Sequence, residues 1–135
     1  MNPEYINIPA IITAAILPFL LGGLWYSPIL FSKAWMKENS FTNEDLEKGS
    51  QAKIFGLSFL FFLVMSGNLA AFLANPETDL QFGILAGFLA GFGWVGLSIA
   101  VIALFERRSW KYIFINGGYM VLAFILMGAV LGLWR

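Results

Sequence analysis

Few side chains in this sequence can do chemistry, and where they stand narrows what that chemistry is. The chain has no cysteine and no histidine, which removes disulfides, thiol redox work, histidine haem ligation and the usual zinc sites. Carboxylates, hydroxyls, amides and amines remain. Every carboxylate and lysine lies outside the apolar runs 5–32, 54–76, 80–105 and 112–134. Proton relays, paired-acid catalysis and a buried lysine nucleophile therefore lack their residues. The expectation is a protein that is not an enzyme and uses neither cofactor nor metal. Zero formal net charge and the lack of a long basic tract argue against nucleic acid as a partner.

The polar groups that do enter the apolar runs are Tyr26, Ser27, Ser98, Asn116 and Tyr119, with the indoles of Trp25 and Trp94. At a helical rise of about 1.5 Å per residue they fall at one end of their runs, beside the basic loops. They are expected to line a polar pocket open on that side. Such a pocket suits a small neutral or anionic ligand, or a lipid headgroup held near Lys33, Lys37, Arg107, Arg108 and Lys111. Trp25 and Tyr26 also fit the aromatic belt of a membrane interface. Toward the opposite end, Asn68 is expected to make an interhelical hydrogen bond, with Thr13 at a similar depth as a partner.

These residues need elements to hold them, and composition says which. With 59% hydrophobic and 12% charged residues, the chain is far from the roughly 25% charge of a soluble domain. Each uncharged run exceeds the roughly 20 residues a helix needs to cross a hydrocarbon core. The prediction is a single all-α membrane domain, a four-transmembrane-helix bundle with spans at about 8–27, 54–75, 80–105 and 112–134. Glu4 stands where a secretory leader carries basic residues, so the first span is expected to stay in the mature chain. Pro18 lacks an N–H and is expected to kink that span.

In the loop 28–53, Ser27 is read as the cap, and Pro28 as the first residue, of a short interfacial helix. Leu30, Phe31, Ala34 and Trp35 would share its apolar arc, with Lys33 and Lys37 on another. Thr42 to Asp45 reads as a capped helix start that feeds past Gly49 into the second span.

Small residues predict the packing. Ser66, Ala70 and Ala74 recur every fourth residue in the second span, Gly83, Gly87 and Gly91 form overlapping GxxxG units in the third, and Gly128 and Gly132 form another in the fourth. Trp94 and Ser98 are expected to continue the small face of the third span. A homo-oligomer joined through the glycine stripe is the expected assembly, with membrane lipid or another membrane protein as further partners. Phe19 to Trp25 and Phe88 to Trp94 share the pattern F-L-x-G-x-x-W, which in a true repeat would relate two parallel hairpins. Of the eight Lys and Arg residues, all but Arg135 lie in the two loops 28–53 and 106–111. The positive-inside rule then puts those loops in the cytoplasm and both termini outside.

One stretch carries a family resemblance: Gly23-Leu24-Trp25-Tyr26-Ser27-Pro28, then Leu30-Phe31 and Lys33-Ala34-Trp35-Met36. It resembles the signature of a family of small four-span bacterial membrane proteins, domain of unknown function 1761, with Ser32 in place of a glycine before the lysine. The resemblance implies four spans in the bacterial cytoplasmic membrane and implies no reaction. The functional expectation is a non-catalytic protein that binds a lipid, a small ligand or a partner. The alternative is a small permease or channel working as a homo-oligomer.

Overall fold

The computed structural model describes residues 1–135. The helices are α1 (Ile8–Trp25), α2 (Ser32–Asn39), α3 (Asn43–Glu47), α4 (Gln51–Leu73), α5 (Leu80–Ala90), α6 (Leu97–Phe105) and α7 (Trp110–Leu133), and a π-helical segment, Gly91–Gly96, joins α5 to α6. Four helical stretches are long and apolar enough to cross a membrane: α1, α4, Leu80–Phe105 and α7.

Helix α7 is the platform on which the others assemble. Burial covers 44% of its apolar window, against 22% for α1, 22% for α4 and 17% for Leu80–Phe105. On one side, α1 and α4 pack against it and each other around Ala10, Ala14, Ala15, Leu69, Ala123 and Met127. Alanines permit that approach, and Ser66 ties it by donating its hydroxyl to the Ile11 carbonyl at 2.8 Å. The α1–α4 hydrogen bond is therefore made by Ser66, not by Asn68 with Thr13.

On the other side α5 lies against α7 without intervening side chains. A methyl group at Gly83 would collide with the Gly128 carbonyl, one at Gly87 with the Phe124 carbonyl, and one at Gly132 with the Asp79 carbonyl. The two glycine stripes thus face each other inside one chain. The glycine contacts expected between copies are thus made within the chain, between α5 and α7.

The turns also differ from expectation in instructive ways. Ser27 does not cap the interfacial helix: its hydroxyl donates to the Leu24 carbonyl at 2.6 Å, closing α1. The Phe31 N–H reaches back to the Trp25 carbonyl at 3.0 Å, so the chain turns through residues 26–31 before α2 begins at Ser32. Thr42 and Asp45 do form a capping box at the start of α3, but Gly49 at φ +79° ends the run and Ser50 caps α4 separately.

At the far end of the bundle the termini meet the α4–α5 turn. Arg135 donates to the Thr78 carbonyl at 2.9 Å and the Asn75 carbonyl at 2.6 Å, and its guanidinium stacks over Tyr5. The Asn2 N–H donates to the Ala74 carbonyl at 2.8 Å. Both termini thus share one end of the bundle, opposite the end that carries the other seven cations.

Candidate functional site

The basic end contains the polar cluster, and its geometry is that of an interlock between α1 and α7. Tyr26 donates its hydroxyl to Asn116 Oδ1 at 2.7 Å, while Asn116 Nδ2 donates to the Tyr112 carbonyl at 3.1 Å. The Trp25 indole donates to the Ile115 carbonyl at 2.9 Å. Tyr119 reaches the other way and donates to the Pro18 carbonyl at 2.8 Å.

Gly22 makes the closest of these approaches possible. A methyl at Gly22 would stand 2.9 Å from the Tyr119 oxygen, and the edge of the Trp25 ring lies over Gly118. The segment Gly22 to Tyr26 thus meets Asn116 to Tyr119 through Gly22 under the Tyr119 hydroxyl and the Trp25 ring against Gly118. Aromatic contacts complete the fit, with Tyr119 edge-on to Tyr26 at 5.3 Å and Tyr26 edge-on to Trp35 at 5.6 Å. Within this network the amide and the three aromatic donors are satisfied by the protein itself, as buried polar groups must be.

Trp94 and Ser98 do not join this cluster. Trp94 is 78% exposed, and Ser98, also exposed, donates its hydroxyl to the Trp94 carbonyl of its own helix. The cause is the π-helical segment. Buried small residues run Gly83, Gly87, Gly91, then Gly96, so the four-residue spacing lengthens to five at the π turn, which adds one residue and rotates the helix beyond it. Gly96, not Trp94, meets α7, opposite Gly117 and Val121. The tryptophans of the two F-L-x-G-x-x-W segments therefore lie in unlike surroundings, Trp25 half-buried and Trp94 facing outward.

Beside the interlock lies an open groove of about 490 Å³ lined by Trp25, Phe31, Ala34, Phe114 and Ile115, with Lys111 as its one charged residue. Lys33, Lys37, Arg107 and Lys111 are exposed, and the ion pairs of the chain, Lys48–Asp45 and Arg108–Glu106, use none of them. Arg108 is different. It donates to the Glu38 carbonyl at 3.2 Å and lies over the Tyr112 ring, while Ser109 donates to the Glu38 carboxylate. These contacts fasten α2 to the start of α7, so Arg108 is a structural tie rather than a free cation. The site holds no cluster of His, Cys, Asp or Glu able to take a metal ion.

A four-helix arrangement of this hydropathy, with polar groups locked at one end and free cations beside an apolar groove, defines a multipass α-helical membrane protein. The chain belongs to the family described as protein of unknown function (DUF1761), whose model matches residues 9–132. No curated protein and no solved structure matches it.

Proposed function

We propose that this protein is a non-catalytic multipass protein of the bacterial cytoplasmic membrane that holds an anionic phospholipid at its basic, cytoplasmic end. The observation that carries the reading is the groove of about 490 Å³ with five apolar or aromatic walls and the Lys111 ammonium among them. An acyl chain fits the walls, and a phosphate at the interface fits the cation, each such charge contributing about 1 kcal/mol near an anionic surface. Lys33 and Arg107, exposed and without a carboxylate partner, extend the field around the groove. Packing supports binding over permeation: Pro18 is buried and its carbonyl is taken by Tyr119, so the middle of α1 is closed against α7.

The test is native mass spectrometry of protein released from bilayer discs containing equal phosphatidylglycerol and phosphatidylcholine. Preferential retention of the anionic lipid, reduced about fivefold by Lys111→Gln and unchanged by Lys48→Gln, is the expected result. Equal retention of both lipids would refute the reading.

A further inference from the structure

The outer half of α4 turns a narrow stripe away from the bundle. Its exposed residues are Phe61, Val64, Asn68 and Phe72, and Leu57 continues the line one turn earlier at 41% exposure. The steps from Leu57 to Phe72 are four, three, four and four, with Leu60 beside the line at 50% exposure, helical spacings that keep the stripe on one face of α4. Asn68 occupies one of the seam positions.

That asparagine is the anomaly. It stands five residues before the end of α4, about 8 Å inside the span at 1.5 Å per residue. Its amide has no hydrogen-bond partner in the chain, whereas Ser66 two residues earlier donates to Ile11 and Ser98 bonds back to its own helix. Around it are Met65, Leu69, Phe72, Phe82 and Leu85, which line an open apolar cleft of about 640 Å³ between α4 and α5. Acyl chains filling that cleft would leave a donor and an acceptor unpaired in hydrocarbon.

We infer that α4 is the interface with a second copy of this chain, two α4 helices crossing about a two-fold axis with Asn68 against Asn68. The carboxamide is self-complementary: one carbonyl and one NH2 on each side satisfy each other across a two-fold, and an isologous contact places like against like. The seam supplies the packing, with Phe61, Val64 and Phe72 interdigitating above and below the amide pair. The glycine stripes of α5 and α7 pack on each other, so a second copy cannot dock through them, and the α4 face offers a polar contact instead. A single asparagine in such a seam fixes register and copy number.

The chain has no cysteine, so single cysteines introduced along α4 report the contact in the otherwise unaltered full-length protein. In vesicles, oxidative cross-linking should peak at Leu57→Cys, Phe61→Cys, Val64→Cys and Phe72→Cys, and stay at background for Leu104→Cys in α6 and Phe114→Cys in α7, which lie outside that cleft. Asn68→Leu should lower the dimer association constant about tenfold by single-molecule photobleaching, and Asn68→Gln, which keeps the amide, should restore most of it. Cross-linking without a seam pattern, or photobleaching in single steps at all protein densities, would overturn the proposal. So would an unchanged dimer fraction in Asn68→Leu, which would mean that lipid or another molecule satisfies the amide.

Discussion

Asn116 sits between Tyr26, which donates to its oxygen at 2.7 Å, and the Tyr112 carbonyl, which accepts from its nitrogen at 3.1 Å, while Asn68 points out of α4 beside an apolar cleft with no such partner. Both asparagines enter membrane-spanning helices, where water cannot stand in for a missing hydrogen bond. At the basic end the chain answers that demand by interlocking the end of α1 with the first turns of α7. On the α4 face it leaves the demand to another molecule. The difference separates a polar group that builds the fold from one that is available for assembly, and the same residue type serves both purposes.

Both asparagines belong to a bundle assembled on α7, the most buried span, and disrupting its packing gives the largest effect. Gly128→Leu drives a side chain into the Gly83 backbone and should cost about 3 kcal/mol, the upper end of what overpacking costs, read as loss of folded protein in detergent unfolding curves. Asn68→Leu in the same assay should leave the fold intact.

The interlock is sharpened by a double-mutant cycle of Tyr26→Phe with Asn116→Ala. A coupling of about 1 kcal/mol is expected from the hydrogen bond they share, and additive effects would mean that the bond contributes nothing. Gly22→Ala is a subtler intrusion, since its methyl meets the Tyr119 oxygen at 2.9 Å. It should cost about 1 kcal/mol in the native background, the worth of the Tyr119 hydrogen bond, and much less in Tyr119→Phe, where that oxygen is gone.

The smallest effect lies outside the membrane. The Thr42 backbone N–H, then Lys48 and the Thr42 hydroxyl, hold the Asp45 carboxyl below its ordinary range. A depressed acid stabilises its helix while ionised, so the support for α3 is complete above the ordinary carboxylate pKa. It is lost as pH falls through the lowered value. Amide exchange in α3 should quicken below that pH while α1, α4 and α7 stay protected.

Much of this architecture is legible in the sequence because the forces that set it are local. Uncharged runs announce the spans, and counting residues puts Trp25, Tyr26, Asn116 and Tyr119 at one depth. The same count misplaces Ser98 and Trp94, because a π turn adds a residue that GxxxG periodicity does not encode. The signal is the glycine at position 96, five residues after Gly91. The pairing of the glycine stripes is also readable: Gly83 and Gly128, like Gly96 and Gly117, lie nearly equidistant from the Glu106–Arg107 turn, as facing residues of an antiparallel pair must. Ser66 reads as a small residue in a packing stripe, although a serine facing a neighbouring helix is equally a donor. The open groove and the cleft arise from how helices splay, which no single helix records.

Unfolding free energy measured on dilute, monomeric protein in detergent, for Asn68→Leu beside Asn116→Leu, tests the contrast between the two amides most directly. Asn116→Leu should lose about 1 to 2 kcal/mol and Asn68→Leu nothing. An equal loss for both variants would contradict that contrast, because Asn68 would then be bonded within its own chain.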